Sequence, residues 1–576
     1  MEQIVNAAQM KAIDTFTIKE IGIPSLVLME RAAAALADCV EEYLQGASGR
    51  ARAGKVSPRP CLTAAVCGYG NNGGDGIAAA RILAYRGWPV EIYMIGNSQR
   101  ATQEVSAQLQ IVRKSGIPVR EFGNETKLAA YTVIIDAIFG IGLSRPAEGV
   151  YARAVERINE SGAYIAAADI ASGISADSGA VLGTAVRADV TVAFGYRKLG
   201  QLLFPGAEYT GRLITADIGF PYFAARAVPG GRQDGVRPIF AGPMKAGKAA
   251  EYAALGPEDL KLLPVRAARS NKGTYGRVLV CAGSASVCGA AYLSAAAAYH
   301  TGAGLVRILT EKSNYTALAE LLPEALLTCY DGKRLEEEEA CSLDMIREAA
   351  DWCDVAVLGP GIGTGRSGRV LTDTVLERLK QKNAGAGRAG AQKRCVIDAD
   401  ALNLLSGQLG AGLDASERIA ALARMLPEDA VITPHMKELS RILELPVPEI
   451  TARPADMADL CTAGNRLICV LKDARTITAY QSMRFVNTAG NEGMATGGSG
   501  DVLTGIIAAL MAGGCSPFIA AGLGVYLHAR AGDAAARELS GRYMVAGDII
   551  RYLSGILKEA QQQKEGERNG NDRRRR

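Results

Sequence analysis

A glycine-rich stretch near the carboxyl end constrains the fold of this chain more than any other segment. It runs Gly493-Met-Ala-Thr-Gly-Gly-Ser-Gly-Asp501-Val-Leu-Thr-Gly505 and leads into an apolar helical run. Glycine lets the backbone approach a ligand closely, and a glycine loop before a helix N-terminus directs free N–H groups at an anion. The stretch therefore predicts a phosphate-binding loop. Asp501 would repel phosphate, so we interpret it as a base for a hydroxyl that meets the phosphate. The alternative is a glycine-rich turn with an ordinary first-turn acid.

Residues 495–505 closely resemble the signature of the NAD(P)H-hydrate dehydratases, ribokinase-like enzymes that repair hydrated nicotinamide cofactors. Ribokinase-like kinases in general carry a similar glycine loop with an Asp base. The motif therefore identifies the superfamily better than the reaction. The other motifs of the chain must show which reaction is catalysed.

Composition limits the classes of function. The chain has 576 residues, too many for a single core, so we expect two or more domains. The net charge of +4 includes the terminal run Arg573–Arg576, and the near-neutral remainder argues against a nucleic-acid role. The 12 cysteines include no C-x-x-C pair, so we expect reduced thiols and a cytoplasmic location. The polar N-terminus does not resemble a signal peptide, and no run of about 18 apolar residues predicts a membrane span.

The first half of the chain shows a strand, a glycine loop and a helix in the order typical of a nucleotide site. The strand-like run 62–67 leads into Gly68-Tyr-Gly-Asn-Asn-Gly-Gly-Asp-Gly76 and then into a helical stretch. The adjacent amides of Asn71 and Asn72 suit a hard cation or a ribose and amide ligand. A turn rich in Asn and Gly is the alternative.

Two later strand-like runs end in Asp136 and Asp169, each followed by a turn of small residues. Helical intervals between the strands predict a largely parallel sheet, and such sheets bind ligands at the carboxyl ends of their strands. We therefore expect both acids to converge with the Asn71–Asn72 loop on one crevice. For a single acid such as Asp169, the alternative is a helix N-cap.

These motifs resemble the NAD(P)H-hydrate epimerase domain over roughly residues 5–221. The matching segments are Asn71–Asp75, Asp136–Gly140, Asp169–Gly173 and Asp217–Pro221. The resemblance implies a potassium ion bound by Asn72, Asp136 and Ser172, and Asp169 as the acid–base candidate. It also implies that the hydrated cofactor contacts Asn71, Asn72, Gly73, Gly74, Asp75, Gly140, Ile141, Gly142, Leu143, Ser144, Arg145, Pro146 and Asp169. The family usually has Pro where this chain has Ala171, which removes a restraint on φ.

The second half carries further dehydratase-like motifs at its strand ends. They are Lys272-Gly-x-x-Gly276, Gly359-Pro-Gly-Ile-Gly363, the acids of Asp398-Ala-Asp400, Thr433-Pro-His435-x-x-Glu438 and Lys472-Asp-Ala-Arg-Thr476. The resemblance implies substrate contacts at Ala290, Gly363, His435 and Asp501. It implies nucleotide contacts at Lys472, Asp473, Ala474, Arg475, Thr476 and Gly500. The family usually has His at Asn271 and Gly at Asp473, and we interpret His300 and His528 as structural.

We therefore predict an α/β protein with a Rossmann-like three-layer αβα domain followed by a ribokinase-like αβα domain. The predicted bounds are 1–225 for the epimerase domain, 226–260 for a linker or adaptor, 261–560 for the dehydratase domain and 561–576 for a disordered tail.

The resemblance implies repair of nicotinamide hydrates, NADHX and NADPHX, in two steps. The N-terminal domain would interconvert the R and S epimers with K⁺. The C-terminal domain would dehydrate the S form by phosphorylating its C6 hydroxyl from ADP or ATP, with Mg²⁺, and eliminating phosphate. As partners we expect these small molecules and a second copy of the chain, as a homo-oligomer, without nucleic acid or membrane. The alternatives are a ribokinase-like kinase for a small alcohol, or an N-terminal half that is a non-catalytic binding module.

Overall fold

The computed structural model describes residues 1–52, 61–221, 251–267, 269–386 and 392–575. The chain divides into two compact units, residues 3–249 and residues 250–576 with 1–2. Among the described residues, no helix combines the length and apolar character that crossing a membrane requires.

A parallel sheet forms the centre of the N-terminal unit. The first strands of the chain are β1 (Glu2–Val5), β2 (Thr63–Cys67), β3 (Val90–Met94), β4 (Val119–Glu121), β5 (Val133–Ala137), β6 (Tyr164–Ala168), β7 (Val190–Phe194), β8 (Arg197–Lys198) and β9 (Arg212–Ala216). The order in the sheet is β4-β3-β2-β5-β6-β7-β9, and every pairing is parallel. Strand β1 pairs in parallel with β8 instead.

Helices cover both faces of this sheet. They are α1 (Ala7–Phe16), α2 (Ser25–Arg52), α3 (Asn71–Tyr85), α4 (Gln103–Lys114), α5 (Val150–Glu160), α6 (Leu199–Leu202) and α7 (Gly206–Thr210), with a π-helical turn at Thr17–Ile21 and a 3₁₀ turn at Ser98–Arg100. Because side chains alternate along a strand, Ala65 and Cys67 of β2 pack against α2 and α3, whereas Ala64 and Val66 join α5 in a second core. The predicted αβα layering is confirmed.

The C-terminal unit is built on a second, mixed sheet. Its strands are β10 (Glu251–Ala254), β11 (Arg277–Cys281), β12 (Leu305–Glu311), β13 (Leu326–Tyr330), β14 (Val355–Leu358), β15 (Arg394–Ile397), β16 (Val431–Ile432), β17 (Ile468–Leu471), β18 (Ile477–Tyr480) and β19 (Met483–Val486). They lie in the order β13-β12-β11-β14-β15-β16-β17-β18-β19-β10. The pairings are parallel except that β18 runs antiparallel to both β17 and β19.

Long and short helices connect these strands. They are α8 (Gly289–Thr301), α9 (Tyr315–Leu321), α10 (Gly332–Glu336), α11 (Ala340–Trp352), α12 (Arg366–Ala386), α13 (Ala399–Ser406), α14 (Ala415–Met425), α15 (Met436–Leu443), α16 (Val447–Ala452), α17 (Pro454–Thr462), α18 (Ser499–Ala512), α19 (Pro517–Leu539) and α20 (Ala546–Arg575). Short 3₁₀ helices occur at Pro257–Leu262, Lys272–Tyr275, Lys312–Asn314 and Glu492–Met494. Helix α18 is apolar on nearly all sides and is buried from Val502 to Met511, as expected for a helix inside an α/β layer.

Two predicted boundaries differ from the structure. Part of the predicted linker, Glu251–Ala254, forms β10 of the second sheet, because its mostly apolar residues pair with β19. The linker residues before it lie outside the described residues. The predicted disordered tail instead continues α20 to Arg575, since its Gln, Glu, Lys and Arg residues are good helix formers.

Candidate active sites of the two units

In the N-terminal unit, Asp136 lies fully buried in β5 and is held by Ser172. Its Oδ2 accepts the Ser172 backbone N–H at 2.8 Å, and its Oδ1 accepts the Ser172 hydroxyl at 2.6 Å. Phe139 completes the group: its carbonyl accepts the Asn72 side-chain amide at 3.0 Å, and its N–H donates to Ser172 Oγ at 2.9 Å. The fold thus brings together Asn72, Asp136 and Ser172, which lie far apart in the sequence.

The oxygen atoms of this cluster suit a hard cation. Carboxylate, hydroxyl, backbone carbonyl and amide oxygens are the donors that such ions prefer in proteins. Burial raises the pKa of Asp136 to about 6, although hydrogen bonds from Ser172 and Ile138 oppose the rise. A cation beside Asp136 would offset the cost of burying its charge. The residues present therefore fit the potassium ion that the resemblance implies.

The segments predicted to contact the hydrated cofactor border this cluster. Asn71–Asp75 forms the start of α3, and a Cβ on Gly73 would lie only 1.8 Å from the carbonyl oxygen of Gly68. The loop 140–146 is half-buried or exposed, and a Cβ on Gly140 would lie 3.2 Å from the Cβ of Asn72. The two segments therefore meet at Asn72, and the close approach at Gly73 admits only glycine.

Asp169 follows β6 in a strained backbone conformation, with φ of 63°. Its Oδ1 accepts hydrogen bonds from Lys198 Nζ and from the Phe194 N–H, the latter at 2.9 Å. Gln201 Nε2 donates to its backbone carbonyl at 2.6 Å. Because a turn rather than a helix follows Asp169, the N-cap alternative is wrong. Lys198 and Gln201 were not among the predicted site residues. A lysine and a glutamine among apolar residues just after β7 were the sequence feature that could have indicated them.

Two more carboxylates act electrostatically on this site. Burial raises the pKa of Asp75 well above its ordinary value, the charges of Asp169 and Asp14 add to the rise, and Lys198 opposes it. Burial also raises the pKa of Asp14, again with a contribution from Asp169. Asp75 therefore keeps its proton to higher pH than an aspartic acid in water. A carboxyl that is neutral and a carboxylate paired with an ammonium are suited to opposite proton-transfer roles.

In the C-terminal unit, the glycine loop ends at the N-terminus of α18, as predicted. Gly498 is the N-cap, with φ of 88°. A Cβ on Gly500 would lie 3.4 Å from Lys472 Nζ and 3.5 Å from Asp398 Oδ2, so the loop backbone passes close to these charged groups. Asp501 lies in the first turn, where the Ser294 hydroxyl donates to its backbone carbonyl at 3.0 Å.

Lys472 links the acidic side chains around this loop. Its Nζ donates to Asp398 Oδ1 at 2.6 Å and lies 3.9 Å from Glu438 Oε2. Burial and the charges of Asp398 and Asp400 raise the pKa of Asp501 to about 7, while Lys472 opposes the rise. Asp501 therefore changes protonation near neutral pH, as suits a general base. Asp398 and Glu438 were not among the predicted site residues, although both stand in motifs that the sequence shows.

His435 is the N-cap of α15. Its Nδ1 accepts the backbone N–H groups of Lys437 and Glu438 at 3.1 and 3.2 Å, so in the neutral ring the proton is on Nε2. Burial lowers the pKa of His435, and the charge of Lys472 adds to the effect. With about half of its side chain exposed, the neutral ring can donate a hydrogen bond to a ligand.

The remaining predicted substrate contacts lie on the loop after β14. The Gly363 N–H donates to Asp400 Oδ2 at 2.9 Å. A Cβ on Gly361 would lie 3.2 Å from the Cβ of Ala290, which is in the first turn of α8. The loop therefore connects Ala290 with the acids that follow β15.

The predicted nucleotide segment, Lys472–Thr476, forms the turn between β17 and β18. Within it the Thr476 hydroxyl donates to the Asp473 carbonyl at 3.1 Å, and the Arg475 guanidinium donates to the Thr488 carbonyl at 3.1 Å. Asp473 is exposed and does not have a positive φ, so its backbone does not need the glycine that the family usually has.

The other two departures from the family pattern are also accommodated locally. Asn271 caps a 3₁₀ helix and accepts the Gly273 N–H at 2.9 Å. Ala171 is buried, and its carbonyl accepts the Ile174 N–H at 3.2 Å, which closes the turn that contains Ser172.

His528, interpreted as structural, lies against the glycine loop. It is buried in α19, and its Nε2 is 3.2 Å from Ser499 Oγ. Burial lowers the pKa of His528 to about 4, so the ring is neutral at pH 7. The contact fixes Ser499, two residues before Asp501.

Among the described residues, no group of three or more His, Cys, Asp or Glu side chains is placed to hold a metal ion. Mg²⁺ in phosphoryl-transfer sites needs only one or two carboxylates, because phosphates and water supply the rest. Asp398 and Asp501 could supply these carboxylates to an ion that arrives with a nucleotide.

Comparison with known proteins finds two family matches in separate parts of the chain. Residues 25–200 match the family described as YjeF-related protein N-terminus, and residues 278–554 match the NAD(P)H-hydrate dehydratase family. The bifunctional NAD(P)H-hydrate repair enzyme Nnr of Moorella thermoacetica is 33% identical over 573 residues, covering 98% of both chains. The NAD(P)H-hydrate epimerase of Limosilactobacillus fermentum is 46% identical over 216 residues, which are 38% of this chain and 97% of that one. Among solved structures, the ADP/ATP-dependent NAD(P)H-hydrate dehydratase from Bacillus subtilis is 27% identical, with a TM-score of 0.42, over 53% of this chain and 97% of that chain.

Proposed function

The chain belongs to the family of bifunctional NAD(P)H-hydrate repair enzymes, and on this premise we propose which residues carry its two reactions. The N-terminal unit interconverts the R and S epimers of the hydrated cofactors NADHX and NADPHX. The C-terminal unit dehydrates the S form with a nucleotide, ADP or ATP. The observation that carries the proposal is Asp501, whose carboxylate follows a loop that closely approaches Lys472 and Asp398.

Dehydration needs a better leaving group than hydroxide. Asp501 takes the proton from the C6 hydroxyl as the hydroxyl oxygen attacks the terminal phosphorus of the nucleotide, which leaves as AMP or ADP. The N–H groups at the start of α18 and the ammonium of Lys472 hold the charge on the transferred phosphoryl group. The C6–O bond then breaks with release of phosphate, and loss of a proton from C5 to water restores the C5=C6 double bond. A divalent cation bound to the nucleotide would neutralise phosphate charge, and Asp398 is the carboxylate best placed to contact it.

His435 and the 472–476 turn bind and orient the reactants. The Nε2–H of His435 donates to the nicotinamide carboxamide, and its neutral ring adds no charge that would repel a developing cation on the ring. Lys472, Asp473, Ala474, Arg475, Thr476 and Gly500 contact the nucleotide, and Ala290 and Gly363 contact the nicotinamide hydrate.

Epimerisation uses proton transfer without a nucleotide. The C6–O bond breaks when a carboxyl group protonates the leaving oxygen, and the lone pair of N1 forms a C=N bond. Water then adds to the other face, a carboxylate takes its proton, and the electron pair returns to N1. Asp169 is the carboxylate in this step, and Asn72, Asp136 and Ser172 would hold a potassium ion, whose charge would stabilise the adjoining turn.

The alternative of a small-alcohol kinase with an unrelated N-terminal domain is not favoured, since the Moorella relative matches over nearly the whole of both chains. We further propose a cytoplasmic homo-oligomer. The structure joins none of its 12 cysteines in a disulfide, which is consistent with a reducing compartment. Light scattering after size-exclusion chromatography tests the oligomeric state.

The test of the function is incubation of the R and S hydrate mixture with the full chain and either nucleotide. We expect restored NAD(P)H absorbance and one inorganic phosphate per cofactor repaired. Without nucleotide, a pure S sample should give the R/S mixture on a chiral separation. Accumulation of a stable phosphorylated product in place of NAD(P)H would show a kinase.

A further inference from the structure

Lys198 is a fully buried lysine whose ammonium is held by the site rather than by solvent. Its side chain is 0% exposed, and Nζ contacts Asp169 Oδ1 and donates to the Phe194 carbonyl at 3.2 Å. Burying an ammonium costs several kcal/mol unless a charge partner and hydrogen bonds compensate it. A fold keeps such a group where its charge is needed, so the position of Lys198 indicates a role beyond packing.

Gln201 forms hydrogen bonds with the backbone of both Lys198 and Asp169. Its Oε1 accepts the Lys198 backbone N–H at 2.7 Å, and its Nε2 donates to the Asp169 carbonyl at 2.6 Å. Asp169 has a left-handed backbone, a strained conformation that persists only when its surroundings hold it. Lys198 and Gln201 thus hold the side chain and the backbone of Asp169 respectively.

The surrounding charges explain why Asp169 needs an ammonium. Asp14 on α1 and Asp75 on α3 both act on this region, and Lys198 on β8 is the positive charge that acts on Asp75. Neighbouring carboxylates that share a site resist simultaneous ionisation. The ammonium of Lys198 contacts Asp169 directly, so it lies where the charges of the three carboxylates would otherwise be uncompensated.

We propose that Lys198 and Gln201 are positioning residues that hold the side chain and the backbone of Asp169 in place as the base of epimerisation. The proposal rests on the proposed epimerase function of this unit. In the addition half-reaction, the O–H bond of water breaks as its oxygen bonds to C6. The proton passes to Asp169, and the electron pair of the C=N bond returns to N1. In the reverse half-reaction Asp169 returns that proton, so no oxidant or other reactant is consumed.

The test compares Lys198→Met with Lys114→Met, a matched control on an exposed lysine of the same unit, in the full chain. Epimerisation is followed without nucleotide as conversion of pure S hydrate to R. We expect Lys198→Met to lower kcat on the order of 100-fold, the usual contribution of an acid–base group. Its pH–rate profile should move to higher pH, because the variant loses the positive charge that opposes the rise in the pKa of Asp75. Lys114→Met should match the wild type in rate and profile.

A second variant separates the effect of the Lys198 charge from the effect of the Gln201 hydrogen bonds to the backbone. Gln201→Met keeps the ammonium, so it should lower kcat on the order of 10-fold while leaving the pH–rate profile in place. Nucleotide-dependent dehydration of the S form by the same samples monitors the other unit, and circular dichroism monitors folding. If Lys198→Met does not fold, Gln201→Met decides by its own rate. A folded Lys198→Met with an unmoved pH profile, or a Gln201→Met with wild-type kcat, would overturn the proposal. A wild-type chain that does not interconvert the epimers would instead refute the epimerase function itself.

Discussion

Replacing Asp501 by Asn should abolish dehydration and also stabilise the C-terminal unit at alkaline pH. The two effects have one cause. Burial and the charges of Asp398 and Asp400 make the ionised form of Asp501 costly, which raises its pKa from 3.8 to about 7. The ionised form of Asp501, which the reaction needs as a base, therefore destabilises the folded unit relative to a neutral side chain.

The size of the effect follows from the pKa. In the unfolded chain Asp501 loses its proton near pH 3.8, whereas the folded unit keeps it to about pH 7. The folded state therefore binds more protons in this window, and the free energy of unfolding falls as pH rises through it. A rise of about three pH units corresponds to about 4 kcal/mol as an upper bound. Because Asp501 is partly exposed and lies near Lys472, we expect about 1–2 kcal/mol.

The assay is thermal unfolding of the full chain at pH 4 and pH 8. The transition of the C-terminal unit is the one whose midpoint temperature rises when nucleotide is added. Asp501→Asn should raise this transition by about 2 °C or more at pH 8 and leave it unchanged at pH 4. In parallel, dehydration should fall at least about 100-fold. Asp456→Asn, at an exposed carboxylate of the same unit, should change neither quantity. A variant that is no more stable at pH 8, or that dehydrates at the wild-type rate, would refute the reasoning.

Three further results are expected. Asp136→Asn should remove the potassium activation of epimerisation, measured by titrating potassium against choline; retained activation would place the ion elsewhere. His528→Leu should raise the KM for nucleotide about 10-fold by releasing Ser499, whereas His528→Gln, which keeps a polar atom near the Nε2 position, should restore it; equal KM values would return His528 to a packing role. A fragment of residues 1–221 should interconvert the epimers without nucleotide, because a 216-residue match covers 97% of an epimerase relative. A fragment of residues 242–576 should consume only the S form. If this second fragment also consumed the R form, the assignment of the two reactions to separate units would be contradicted.

The sequence was most informative where a motif and its chemistry are local. Strand, glycine loop and helix follow one another in the chain, so both sheets and the position of Asp501 at the start of α18 could be predicted. Function was predicted for the same reason, and the family assignment confirms it. The site residues carried over from the family remain predictions, although the structure brings Asn72, Asp136 and Ser172 together.

What could not be predicted depends on contacts between distant segments. Lys198 meets Asp169 only because β7 and β6 are neighbours and the chain turns back after β7. His528 was a lone histidine in an apolar helix, and only the packing of α19 beside α18 places it at Ser499. The strand Glu251–Ala254 is too short to show alternation, and its partner β19 lies more than 200 residues away in sequence.

That pairing has a consequence for colloidal behaviour. The first strand of the C-terminal unit, β10, covers the last, β19, with Tyr252 opposite Arg484 and Ala253 opposite Phe485. A fragment that began at Val265, where the second series of motifs starts, would leave the main-chain N–H and C=O groups of β19 without this partner. An uncovered strand edge is a template for pairing with another chain. Such a fragment would self-associate, so its solubility would fall although it kept every predicted site residue of the C-terminal unit.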